Sequence, residues 1–182
     1  MEIEALNWML DQRYTSIYIA GSLFTEADQA QRMMEEKDIR KIIDHLGLST
    51  EVFNPINNPF NDKSTKPTAL DITLGDTQQI EDSTHILLNL DNQLDAGVFV
   101  ELGQILGLPF DRRDIKVYPV ISDIRMAGAG EYDAEEVPWG INTDVIGALQ
   151  FIMGDDYKMY TSSSEAIVAM MKDIEEVETR GK

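Results

Sequence analysis

The stretch Ile86 to Phe110, ILLNLDNQLDAGVFVELGQILGLPF, decides the fold class. Ile86 to Leu90 is apolar but for Asn89, the turn formers Asp91, Asn92 and Asp95 follow, and a second apolar run opens on Ala96-Gly97. A short apolar run closed by turn formers reads as a buried strand, here His85 to Leu90. The run after Asp95 reads as a helix, so the stretch is half of a strand-helix unit. From Ala96 to Phe110 there are fifteen residues, and Glu101 is the only charged one. Burying an unpaired carboxylate is costly, so Glu101 either reaches water at the rim of the fold or has a chemical role.

Working outward, the same alternation recurs. Thr15 to Ala20 (TSIYIA) is rich in β-branched and aromatic residues and stops at Gly21-Ser22, which predicts a first strand. A long amphipathic helix is expected from about Thr25 to His45, and a second strand at Thr50 to Asn54. Pro55 to Thr68 (PINNPFNDKSTKPT) is dense in turn formers and reads either as a binding loop or as a mobile surface loop. Ala69 to Asp82 fits a helix with Leu70, Ile72, Leu74 and Ile80 toward the sheet. Asp76 sits near its middle, where an aspartate has no capping reason to be. Ile115 to Ile121 predicts a fourth strand, and Ser122 to Gly140 has no pattern that places it. Thr143 to Met153 reads as a helix capped by Thr143 or Asn142, Lys158 to Thr161 as a last strand, and Ser163 to Val177 as a closing helix. Near the start, residues 3–13 carry Leu6, Met9 and Leu10 at helical spacing.

Strands alternating with helices predict an α/β fold, a flavodoxin- or Rossmann-like three-layer sandwich on a mainly parallel sheet of about five strands. The 182 residues, 43% hydrophobic, suit a single domain over 1–182, with 1–14 a helical extension and 163–182 a closing helix and tail. The net charge of −18 argues against a nucleic-acid partner, which requires clustered Lys and Arg. There is no cysteine, so disulfides and thiolate metal sites are excluded. The first residues carry acids where a signal peptide carries bases, and no apolar run approaches the roughly 18 residues of a membrane span. A cytoplasmic protein with no membrane partner is the expectation.

In an open parallel sheet, ligands sit beyond the carboxyl ends of the strands. That rule gathers Tyr18 to Phe24, Asn54 to Asn61, Leu90 to Glu101 and Ser122 to Gly140 on one side. The first loop has one glycine, not the repeated glycines of a dinucleotide fingerprint, so NAD is not supported. Asp95 falls at a helix N-cap and Glu101 one to two turns in, where the helix dipole favours an ionised carboxylate by about 0.3–1 kcal/mol. Such a carboxylate is a competent nucleophile toward a sugar carbon, with Asp95 or Asp76 as the acid for the leaving group. The alternatives are a capping Asp95 with a solvated Glu101, or an oxygen-ligand metal site at Asp91 and Asp95. His45 and His85 stand in no pattern that would make a hydrolase triad.

SIYIAGSLFTEADQ (Ser16 to Gln29), VFNPINNPFNDK (Val52 to Lys63), ALDITLGDTQQIEDS (Ala69 to Ser83), DNQLDAGVFVELG (Asp91 to Gly103) and PWGINTDVI (Pro138 to Ile146) come in a characteristic order. Together they resemble the nucleoside 2-deoxyribosyltransferases between Ser16 and about Ile146. The resemblance implies an enzyme that moves a 2-deoxyribosyl group from a deoxynucleoside to a free nucleobase without metal or organic cofactor. It implies Glu101 as nucleophile, Tyr18 as the residue holding it, Asp76 as the source of the proton for the departing base, and Asp95 as a residue placing the nucleoside. Gly21, Leu23 and Phe24 would wall the pocket, Gly97 would open the turn beside Asp95, and Asn57 and Asn58 fall near the base-reading loop. Where many members carry a glutamine this chain aligns Pro59. Members also take an asparagine from a neighbouring subunit, which implies a homo-oligomer, and Glu135 is the best match here. The DNQLDAG turn is similar to that of purine-preferring members. Two rival readings stay open, an N-glycosidase that uses water as acceptor and a non-catalytic nucleoside-binding module.

Overall fold

The computed structural model describes residues 15–58, 64, 66–108, 115–123 and 141–180, the last three without their side chains. The elements are β1 (Thr15–Ala20), α1 (Glu26–Leu46), β2 (Thr50–Phe53), α2 (Ala69–Asp82), β3 (His85–Asn89), α3 (Ala96–Leu106), β4 (Lys116–Val120), α4 (Thr143–Met153) and α5 (Ser163–Arg180). Short 3-10 turns lie at Pro55–Asn57 and Gly154–Asp156. The strands form one parallel sheet in the order β2-β1-β3-β4. No described helix is long and apolar enough to cross a membrane.

Local chemistry sets the helix ends. Thr25 and Asp28 form a reciprocal capping box at the start of α1, and Thr68 and Asp71 do the same for α2. Gly47 ends α1 with φ 65, a left-handed conformation that a side chain would strain. Asp95 caps α3 by accepting from the Gly97 N–H, and Asn142 rather than Thr143 caps α4 by accepting from the Asp144 N–H.

Alternation along β1 divides the core in two. Ile17 and Ile19 face α1 and α5, where Ile39, Ile43, Ile167, Met170 and Ile174 are buried against them. Tyr18 and Ala20 face the opposite way, toward Ile80 of α2, Val98, Leu102 and Ile105 of α3, and Ile146 and Leu149 of α4. Removing each such aliphatic chain from water contributes about 1.5–3 kcal/mol. Helices on both faces of a parallel sheet make the three-layer α/β sandwich that the alternation predicts.

Two expectations are corrected. The last strand at Lys158 to Thr161 is reduced to an isolated bridge, Val120 with Tyr160. Tyr160 alone bridges β4, so among the described residues the sheet has four strands rather than about five. In α2, Ile80 is buried, but Leu70 and Leu74 are 65% and 59% exposed. They lie on the outer side of a helix that meets the sheet chiefly through its C-terminal half. The expected helix at 3–13 and most of the Ser122 to Gly140 connection lie outside the described residues.

Candidate active site

The carboxyl ends of β1, β2 and β3 carry the side chains that the sequence singles out. Tyr18 pairs with Phe53 across β1 and β2 and with Ile86 across β1 and β3, so it stands in the middle of the sheet. Its ring is fully buried and stacks on Phe53, with centroids 5.4 Å apart and planes at 20°. From that position the hydroxyl crosses to α3 and donates to Glu101 Oε1 at 2.6 Å. A strand residue thus fixes the carboxylate of a helix residue 83 positions later in the chain.

Electrostatics follow from this placement. Burial pushes the Glu101 carboxyl up to about 7; the Tyr18 hydrogen bond pulls it down, and the negative charges of Asp76 and Asp95 add to the rise. Burial, then the charges of Glu101 and Asp76, hold the Tyr18 phenol far above its ordinary range, so it stays a donor. Burial also raises Asp76, against a hydrogen bond from Asn58 Nδ2 at 3.3 Å that lowers it. Three carboxylates therefore converge, and the charges of Asp76 and Asp95 both oppose ionisation of Glu101.

Asp95 is buried, with Oδ1 accepting from Gly97 N at 2.9 Å. A Cβ on Gly97 would stand 3.0 Å from that oxygen, so the glycine leaves room for the cap. Behind α3, Gln104 Nε2 donates to Thr77 Oγ1 at 2.7 Å and ties α3 to α2 beside Asp76. The first loop is anchored too: Asn92 Nδ2 donates to the buried Ser22 Oγ at 3.1 Å, and Ser22 Oγ donates to Asp28 Oδ2 at 3.1 Å.

Not every predicted residue faces the group. Asn58 is buried beside Asp76, whereas Asn57 is exposed and its amide donates to Glu36 of α1 at 2.8 Å. Gly21 lies on the loop after β1 with Leu23 half-buried, and Phe24 is 77% exposed. Pro59 and Glu135 lie outside the described residues. Asp91 is engaged just beyond β4, accepting from Ser122 N and Ser122 Oγ at 2.5 and 2.7 Å. Among the described residues no group of three or more His, Asp or Glu is arranged to hold a metal ion.

Phe53, Gln104, Ser22 and Asn92 escaped the sequence reading. Phe53 becomes visible only once the register of β1 and β2 is known, because a cross-strand neighbour leaves no local signal. Asn92 carried a weak one, an Asx residue one turn before a helix cap.

Held by a phenol, flanked by a partly buried second carboxyl and a capped third, Glu101 has the surroundings of a nucleophile beside an acid. Comparisons with known proteins bear on this arrangement. Residues 17–172 match the family model described as nucleoside 2-deoxyribosyltransferase. Among solved structures, a conserved protein from Enterococcus faecalis V583 is 24% identical, covers 90% of this chain and 98% of its own, and superposes with a TM-score of 0.64. A 2-deoxyribosyltransferase from the psychrotolerant bacterium Bacillus psychrosaccharolyticus is 15% identical, with coverage of 86% and 96% and a TM-score of 0.46. No curated protein matches the chain.

Proposed function

Because the chain belongs to the nucleoside 2-deoxyribosyltransferase family, and with it to the pentosyltransferases, we propose that it exchanges bases on 2-deoxyribose through a covalent intermediate on Glu101. The single observation that carries the mechanism is the 2.6 Å hydrogen bond from Tyr18 to a Glu101 carboxyl set in an apolar cluster. In this reading Glu101 attacks the anomeric carbon as the bond to the donor base breaks, and the electron pair of that bond leaves with the base. Asp76 supplies the proton that neutralises the departing base. An acceptor base then attacks the same carbon from the opposite side, releasing Glu101 and returning a proton to Asp76. Two inversions give net retention. No step calls on a metal or an organic cofactor.

The remaining residues take positioning roles. Asp95, fixed by its cap, is placed to hold the sugar hydroxyls; Asn58 faces the base beside Asp76; Gly21, Leu23 and Phe24 form the wall. Phe24 and Leu94, 77% and 95% exposed, leave apolar surface on the two loops flanking the crevice. Such surface is the ground for proposing that a second copy of the chain covers it; the proposal that Glu135 reaches a neighbour's site rests on the family resemblance alone. The test is a panel of 2′-deoxynucleoside donors with and without an acceptor base, separated by chromatography, on material sized by light scattering. Acceptor-dependent formation of the new deoxynucleoside by an oligomer is expected. Free sugar released at one rate whatever the acceptor would instead make the protein a hydrolase, and full activity in a monomer would remove the neighbour's part.

The pH dependence follows from proton counting. The reactive arrangement has Glu101 ionised and Asp76 protonated, hence one proton between two carboxyls. States carrying the same number of protons keep a fixed ratio at every pH. The rate in kcat/KM is therefore expected to fall as pH rises through about 7, where the last proton of the pair is lost. Tyr18→Phe removes the hydrogen bond that lowers Glu101, so the inflection moves to higher pH while the maximal rate drops by roughly 10- to 100-fold. A profile in Tyr18→Phe that keeps its inflection, or moves it to lower pH, would contradict the pairing.

A further inference from the structure

We propose that Arg32 and Glu35, one turn apart on α1, are positioning residues that set the height of the pocket loop Gly21 to Phe24 from beneath. The proposal rests on the reading of that loop as a wall of the substrate pocket. Both residues are buried, at 2% and 1% exposure, and pair through a hydrogen bond from Nη2 to Oε1 at 2.7 Å, with Nε in ion-pair contact with Oε2 at 2.6 Å. Glu35 Oε1 also accepts from Ser163 Oγ at 2.5 Å and from Gln31 Nε2 at 3.0 Å, which ties the pair to the first residue of α5. The guanidinium cannot swing freely, because any rotation would strand a buried carboxylate.

What this rigid group supports is Gly21. A Cβ on that residue would fall 1.5 Å from Arg32 Nη1, 2.7 Å from Cζ and 3.2 Å from the Cβ of Asn89. The loop backbone therefore lies directly on the guanidinium, at the point where β1 and β3 diverge and the chain leaves for opposite faces of the sheet. A flexible side-chain end would give way to an added methyl at little cost. This one is held by a hydrogen bond and an ion-pair contact with Glu35, so the loop must lift instead. Ser22, the next residue, is tethered sideways to Asn92 on the loop that leads to Asp95. Lifting Gly21 thus displaces the wall of the pocket while Tyr18 and Glu101, which meet on the α3 face of the sheet, keep their contact.

The test replaces the whole pair with apolar residues, Arg32→Met with Glu35→Leu, since an unpaired partner would unfold the protein for an unrelated reason. The expected result is a cooperative thermal transition, a donor KM raised about tenfold, a kcat within about threefold, and a pH inflection still near that of the wild type; a 1 Å misplacement can cost as much as ~10²-fold. Gly21→Ala alone is expected to raise KM similarly, and to add little in the Met/Leu background. Arg32→Lys keeps the charge beside Glu35 but loses the planar floor, and serves if the double variant fails to fold; the same rise in KM is expected. Amide hydrogen exchange over Ser22 to Phe24 supplies a readout that needs no substrate, and it should quicken in each folded variant. A folded variant with KM within twofold of wild type and unchanged exchange in the loop would overturn the proposal, as would full multiplication of the Gly21→Ala and pair effects. Were the wild-type protein to show no base exchange, the proposed function would fail, and the loop measurement would still decide the role of Arg32.

Discussion

Glu101→Gln is expected to abolish base exchange, by about 10⁴-fold or more, and at the same time to stabilise the folded protein above neutral pH. Loss of activity follows from removing the only group proposed to bond the sugar. The gain in stability follows from linkage. Burial holds Glu101 at about 7 against an ordinary value of 4.5, so between those pH values the folded state binds more protons than the unfolded state. Stability of the wild type therefore falls as pH rises from 4.5 through 7, and the ionised carboxylate costs on the order of 3 kcal/mol at pH 8. Glutamine carries no charge to desolvate, yet its carbonyl still accepts the Tyr18 hydroxyl. Denaturant titration at pH 5 and pH 8 should show a gain at pH 8 that shrinks toward pH 5. Glu101→Ala should be less stable than the glutamine variant by about 1–3 kcal/mol, because it leaves the buried Tyr18 hydroxyl without its partner. Wild-type exchange in a folded Glu101→Gln protein would remove the nucleophile; equal stabilities at pH 8 would remove the desolvation argument.

The second large effect belongs to Asp76. Asp76→Asn should cost about 10²- to 10⁴-fold with natural nucleosides, the range for loss of a general acid. With a nitrophenyl 2-deoxyriboside the leaving group needs no proton, and the loss should be under about tenfold. The pH dependence should also change sign. Once Asp76 no longer titrates, the reactive state needs only an ionised Glu101, so the rate with the nitrophenyl donor rises with pH instead of falling. Its midpoint should lie below the wild-type inflection, since the charge of Asp76 is one cause of the raised Glu101 value. Equal losses with both donors would assign Asp76 to binding and not to proton transfer.

The two carboxylates were unequally legible. Glu101 is conspicuous because it is the one charge in an apolar run, a pattern that survives any detail of folding. Asp76, apart from the role that the family resemblance implies, is only a mid-helix aspartate, and its surroundings depend on Asn58 and Glu101 arriving beside it from other segments. Leu70 and Leu74 show the opposite failure. Helical spacing put them inward, but a stripe in sequence says which residues share a side, not which half of the helix meets the sheet. The last strand fails because β propensity is local while a ladder needs a partner in register, and only Tyr160 bridges β4, at Val120.

By itself, the sequence determined the strand-helix alternation, the parallel sheet, the cap at Asp95 and the singular placement of Glu101, because these rest on periodicity and on interactions within a few residues. The family resemblance implies Tyr18 as the residue that holds Glu101; only the tertiary structure decided how that contact is built and what surrounds it. The 2.6 Å bond to Tyr18, the Phe53 ring behind it and the buried Arg32–Glu35 pair under Gly21 join surfaces set by strand register and helix packing. The rise of Glu101 to about 7 has the same origin, since desolvation is a property of the assembled core rather than of any stretch of chain.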